Sequence, residues 1–306
     1  MVLPRDEALE ERIADLALAR YGHRPSVEKY HSENNYVCRL RFDGSTPDRV
    51  IKVGLHLAGA VRQEAEALHR LHAAGLEVPE VEFTDDDAPG FDHAFFVMPH
   101  LGEMDLGKAC AQDLDWAEAT CQRAGEFLGR LQSLPLDLLD GFAVQHYRDF
   151  NTEYPGSRWA ELREIARGNH PGESFFEVVR AIVDGDLAEP GRVVVHESFI
   201  PGQVITNGGD IFGVTDWETI RSGRPLQDVS CFGAGLRAWY GGNPKYLEAL
   251  IDGATGGAGF SAEKAVRCRA WQCYRLFWWA EFGLRSDREE MARALLDQAQ
   301  ALGHEL

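Results

Sequence analysis

Apolar and polar positions change period along this chain, and the change divides it. Between Asp6 and Tyr21, Leu9, Ile13, Leu16 and Leu18 recur at helical spacing, and Gly22 is a natural stop. The segments SVEKYH, NYVCRLRF and RVIKVGL then alternate, separated by Glu-Asn-Asn and by Asp43-Gly44-Ser45, which predicts antiparallel strands. Val61 to Leu76 returns to a helical period, Asp85 to Gly90 is an acidic turn, and HAFFVMPHL is a buried strand. After Gly102 the pattern is almost wholly helical. Leu114 to Leu134 is a long amphipathic helix ended by Pro135, and Trp159 to Arg167 and Phe175 to Val183 are shorter ones. Leu226 to Tyr240, Pro244 to Ile251, Ala262 to Phe282 and Asp287 to Leu302 complete the set.

One stretch interrupts the helices. In RVVVHESFIPGQVITNGGDIFGVTDWE, three valines lead into a His and a Pro-Gly loop, and a Gly-Gly hairpin follows whose far strand ends on Asp216. A polar loop at the end of a strand, beside a hairpin ending on a carboxylate, gathers His196, Ser198, Gln203 and Asp216 into one neighbourhood.

That stretch resembles the aminoglycoside phosphotransferase and choline kinase family, the small-molecule branch of the protein-kinase-like fold. The family loop HGDxxxxN is matched in register by His196, Glu197, Ser198, Phe199, Ile200, Pro201, Gly202 and Gln203. The family's IDWE is matched by Thr215, Asp216, Trp217 and Glu218. The resemblance implies an α+β, bilobal protein-kinase-like fold. A small antiparallel-sheet N-lobe with one crossing helix would span residues 1–101, and a larger, mainly helical C-lobe with the catalytic-type loop and acceptor site would span 102–306.

It also implies site roles. Lys52 in VIKVG is the candidate phosphate-binding cation, because a kinase must hold the negative triphosphate in register. Glu64 on the crossing helix is its expected partner; Glu66, two residues on, faces elsewhere. Met98 and Leu101 belong to the hinge segment whose backbone would pair with a nucleotide base. No GxGxxG loop precedes Lys52, and the first turn reads Ser32-Glu33-Asn34-Asn35. Asp216 and Gln203 stand at the metal-binding positions, and Gln203 carries its amide one methylene further than the usual Asn. Ser198 stands where the family has its catalytic Asp, and a neutral hydroxyl is no base near pH 7. General base catalysis is worth roughly 10² to 10⁴ in rate, so this change predicts slow transfer rather than none. Glu197, in place of the usual Gly, is the surrogate-base candidate or a structural carboxylate. His196 serves loop structure or is a new catalytic group. Asp228, in PLQD, is expected to brace the loop.

The expected cofactor is ATP or GTP with Mg²⁺, and the expected reaction is O-phosphotransfer to a small hydroxylated molecule, an antibiotic or a metabolite. Two alternatives stay open. One is a repurposed enzyme of the same fold acting on a natural-product intermediate, motivated by Ser198, Gln203 and the apolar Phe199-Ile200 pair. The other is a ligand-binding pseudokinase.

Composition narrows this further. The chain has 306 residues, 44% hydrophobic and 26% charged, an ordinary globular balance that can bury a substantial core. Its net charge of -18 disfavours nucleic acid and anionic membrane as partners and favours a cationic ligand if the acidity is concentrated at a cleft. Trp239, Tyr240, Trp271, Tyr274, Phe277, Trp278, Trp279 and Phe282 are core by spacing, with a possible stacking surface beside Glu281. The six cysteines lack metal-ligand spacing and are read as reduced thiols of a cytoplasmic protein. No stretch approaches the roughly 18 apolar residues of a membrane span.

Overall fold

The computed structural model describes residues 4–30, 35–55, 58–88, 91–142, 160, 163–164, 172–286, 288–303 and 306. Most of the helix expected at Trp159 to Arg167, and residues 32–34 of the first turn, lie outside them. The fold is α+β, with an antiparallel sheet near the start and a helical remainder, as expected. The chain divides into two compact units, Met1–Gly102 and Glu103–Leu306.

In the first unit, α1 (Glu7–Tyr21) starts on Asp6, whose side chain accepts from Leu9 N–H, and stops at Gly22 with φ 75°. Strands β1 (Ser26–Lys29), β2 (Tyr36–Arg41), β3 (Arg49–Gly54), β4 (Phe83–Thr84) and β5 (Ala94–Pro99) form one sheet in the order β1-β2-β3-β5-β4. Each neighbouring pair is antiparallel. Alternation on β2 buries Tyr36, Cys38 and Leu40 against Leu9, Ile13 and Ala17 of α1. β3 and β5 also pack on α2 (Ala58–Ala73), so their residues are buried almost continuously.

The second unit begins with α3 (Leu106–Ala111), a short helix capped by Asp105 that its six residues did not advertise. α4 (Ala117–Ser133) and α5 (Gly172–Ala188) follow, then strands β6 (Val193–Val195), β7 (Val204–Asn207), β8 (Asp210–Val214) and β9 (Arg221–Gly223). β6 pairs with β9 and β7 with β8, the latter across the Gly208-Gly209 turn. Four helices complete the unit: α6 (Leu226–Trp239), α7 (Pro244–Thr255), α8 (Ala262–Arg285) and α9 (Glu289–Gly303). α4 and α7 cross closely at glycines: a Cβ on Gly125 would lie 2.0 Å from the Leu250 carbonyl oxygen, and one on Gly253 would lie 1.9 Å from that of Gln122. All six cysteines are buried and unbridged, and no helix among the described residues is long and apolar enough to cross a membrane.

Candidate active site

In the first unit, the site residues lie on the sheet and its helix. Lys52 stands at the centre of β3, opposite Val37 on β2 and Phe96 on β5. The pleat turns its side chain toward α2, where Lys52 Nζ meets Glu64 Oε2 at 2.6 Å. The two side chains are 8% and 3% exposed, so each charge is held out of water by the other. Met98 pairs with Val50 on β3, and the backbone leaves the sheet at Pro99, with His100 N–H donating to the Asp48 carbonyl at 3.1 Å. Leu101 is half-buried in the segment that follows.

In the second unit, the loop after β6 is fixed by Asp228, on the first turn of α6. One carboxylate oxygen accepts from His196 N–H and the other from Glu197 N–H, both at 2.8 Å. Burial pushes the Asp228 carboxyl up to about 7, against the pull of those two N–H donors. His196 is fully buried and both ring nitrogens are engaged: Nε2 lies 2.9 Å from the Thr215 carbonyl, and Nδ1 accepts from Ser198 N–H at 3.2 Å. A carbonyl only accepts, so Nε2 carries the proton. The imidazole rests 4.3 Å from the Trp217 ring. It ties the loop to the end of β8 and leaves no nitrogen to act on the Ser198 hydroxyl.

Glu197 has φ 73°, in the left-handed region that favours glycine, the residue the resembled family has there. Its side chain is 6% exposed and turns toward Arg221, Gln227 and Arg275. There it meets Arg221 Nη2 at 2.9 Å, Gln227 Nε2 at 3.2 Å and, in a very short contact, Arg275 Nη2. Arg275 also donates to the Glu197 carbonyl at 2.6 Å. Burial would raise the carboxyl's pKa, but the two guanidiniums outweigh it and hold the group below its ordinary range. A carboxylate so held keeps its charge and is a poor proton acceptor.

Ser198 is half-buried, and its carbonyl accepts from Ile200 N–H at 2.8 Å, the first bond of the Pro-Gly turn. Phe199 is fully buried, stacked 6.0 Å from Phe127, so it is core and lines no surface. Gln203 Nε2 donates to Asp216 Oδ2 at 3.1 Å, and Thr215 Oγ donates to Gln203 Oε1 at 3.0 Å. Asp216, the last residue before a short turn at Trp217–Thr219, has φ 68°. Two non-glycine residues in left-handed geometry, on either side of one loop, mark backbone that the surroundings over-determine.

Among the described aromatic residues, Trp271, Tyr274 and Phe277 are buried, whereas Trp239 is 43% exposed with its ring 4.4 Å from that of Trp279. Arg221, Gln227 and Arg275 were not among the candidates from sequence. Arg275 left one signal, a charge within the aromatic run CYRLFWW on a face that spacing buries.

A small antiparallel unit with a buried Lys-Glu pair, followed by a helical unit with a His-led loop and an Asp-ended hairpin, is the layout of kinase-like phosphotransferase folds. The chain belongs to the phosphotransferase enzyme family, whose model matches residues 30–277. The fold is similar to the macrolide 2'-phosphotransferase MphH from Brachybacterium faecium, at 16% identity over 94% of this chain and 98% of that one, with TM-score 0.62. It is also similar to the GDP complex of aminoglycoside 2'-phosphotransferase-IIIa, at 14% identity over 95% and 98%, with TM-score 0.65. Spectinomycin phosphotransferase APH(9)-Ia, in complex with ADP and spectinomycin, is similar at 13% identity over 97% and 98%, with TM-score 0.66. No curated protein matches the sequence.

Proposed function

We propose that this chain is an O-phosphotransferase that moves the terminal phosphoryl group of ATP or GTP to a hydroxyl of a small molecule, an antibiotic or a metabolite. The observation that carries the proposal is the buried 2.6 Å pair of Lys52 with Glu64. A lysine held this way is a fixed cation, and fixing charge against a triphosphate is most of what phosphoryl transfer asks of a protein. In the first unit, Lys52 holds phosphate oxygens, Glu64 orients it, and the backbone around Met98 and Leu101 meets the base.

In the second unit, Asp216 offers a carboxylate to Mg²⁺, which would neutralise phosphate charge when bound. The donor set fits one such ion, since Mg²⁺ is commonly held by one or two carboxylates together with substrate phosphates. Gln203 presents its N–H to Asp216 and its oxygen to Thr215, so it serves as a ligand only after its amide turns over. Ser198 occupies the base position and orients the acceptor hydroxyl without taking its proton. His196 and Glu197 act through the loop: His196 holds its shape and Glu197 anchors it to the core. The exposed Trp239, with the half-buried Trp279 ring beside it, offers a stacking face for a cationic or aromatic acceptor.

The direct test is transfer of labelled γ-phosphate to a panel of hydroxylated antibiotics and metabolites. Asp216→Ala should abolish transfer, and Ser198→Asp should raise it by about 10² or more. Transfer indifferent to both variants would refute the assignment. The loop also favours a second reading, a nucleotide-binding protein without turnover, because its one added carboxylate, Glu197, is committed to two arginines. Nucleotide binding without transfer, even in Ser198→Asp, would favour it.

A further inference from the structure

The Pro201–Gln203 turn is held from outside by Tyr240, the residue that ends α6. A Cβ on Gly202, in the middle of the turn, would lie 2.6 Å from the Tyr240 hydroxyl oxygen and 3.8 Å from its Cζ. Behind the ring is α3, where a Cβ on Gly107 would lie 2.5 and 2.6 Å from the two Cε atoms of Tyr240. Neither glycine has a positive φ, so what each position requires is room and not backbone freedom. Earlier on α6, a Cβ on Gly235 would lie 3.0 Å from Pro201 Cδ. The phenol is thus a wedge between α3 and the turn, and its ring cannot retreat toward α3. Burial pushes its pKa up to about 12, with the Asp105 carboxylate adding to the effect, so the group stays neutral near pH 7 and acts by shape.

The turn in turn carries Gln203. Its N–H donates to the Ile200 carbonyl and its carbonyl accepts from Thr215 N–H, both at 3.0 Å, while its amide lies between Thr215 Oγ and Asp216 Oδ2. A shift of the turn therefore moves the Gln203 amide against the Asp216 carboxylate. Mg²⁺ demands near-ideal geometry at roughly 2.1 Å, so a ligand's neighbours govern its affinity. We propose that Tyr240 is a positioning residue for the metal side of the site: its hydroxyl end fixes the seat of the Pro-Gly turn, and the seat fixes Gln203 against Asp216. This role rests on the phosphotransferase reading, in which Asp216 holds the Mg²⁺ that accompanies the nucleotide.

The test is calorimetric titration with ATP and GTP, with and without Mg²⁺, of the native chain, Gly202→Ala, Tyr240→Phe and the double variant, together with the thermal midpoint of each. In Gly202→Ala the new methyl meets the hydroxyl, and the affinity gained from Mg²⁺ should fall by about tenfold or more while Mg²⁺-free affinity is unchanged. Tyr240→Phe leaves a gap at the turn, and the gain should fall severalfold; this variant keeps the test if Gly202→Ala does not fold. In the double variant the methyl lies in ordinary contact with Cζ and fills that gap, so the Mg²⁺ gain should exceed that of either single variant. Lowered thermal midpoints with the Mg²⁺ gain intact in the single variants, or a double variant no better than the singles, would overturn the role of Tyr240 and leave the phosphotransferase reading in place. Absence of nucleotide binding by the native chain would overturn both.

Discussion

Glu197 holds a backbone angle that ordinarily costs a non-glycine residue on the order of 1–3 kcal/mol, and its side chain is what repays it. Arg221 and Arg275 close on that carboxylate from β9 and α8, and Gln227 adds a third donor from α6. Removing Arg275 leaves the buried carboxylate with Arg221 and Gln227 alone and frees the Glu197 carbonyl, so Arg275→Met should lower unfolding free energy by about 1.5–3 kcal/mol, read from denaturant midpoints. The pH dependence follows in sign. The folded carboxyl titrates below its ordinary 4.5, so its stabilising contribution is present above that pH and is lost as pH falls through the folded value. Stability measured from pH 7 to pH 3 should therefore fall more steeply in the native chain than in Arg275→Met. Asp228→Ala removes the acceptor of two buried N–H groups and should cost about 2–4 kcal/mol in the same assay.

At the scale of elements, the close crossing of α4 and α7 sets the tightest limit. Gly125 and Gly253 lie where a methyl group would enter the facing backbone, which cannot move as a flexible side chain could. Gly125→Ala or Gly253→Ala should destabilise the second unit by about 1–3 kcal/mol or more, visible as a lowered thermal midpoint. Most helices and strands were legible in the sequence, because period and punctuation are local. Gly22 does end α1, and Gly208-Gly209 does turn β7 into β8. The Val61 to Leu76 period in fact belongs to a helix starting at Ala58 and ending at Ala73, β4 falls within the extended segment that Val78-Pro79 begins, and α3 and β9 show no period of their own. Those two are too short for a period to establish itself, and β9 pairs with Val193–Val195. The loop itself was legible by register from His196 to Gln203. The anchoring of Glu197 was not, since Arg275 lies 78 positions away and no local pattern joins them. Nor was the burial of Phe199, which removes one motive for assigning the fold a different chemistry.

For the whole molecule, the family and the α+β fold are established, and the proposed phosphotransfer depends on nucleotide and metal. A chain of net charge -18 repels a free nucleotide at long range, so a counter-ion and a fixed local cation must offset that field. In the proposed transfer, Lys52 serves as that cation in the first unit, and Asp216 offers the metal its carboxylate in the second. The most direct measurement is isothermal calorimetry of the native chain and of Lys52→Met with ATP and with GTP, with and without Mg²⁺. Micromolar binding of at least one nucleotide that requires Mg²⁺ and is lost in Lys52→Met is the predicted result. Absence of binding at millimolar nucleotide, or binding that survives both removal of Mg²⁺ and loss of Lys52, would contradict it.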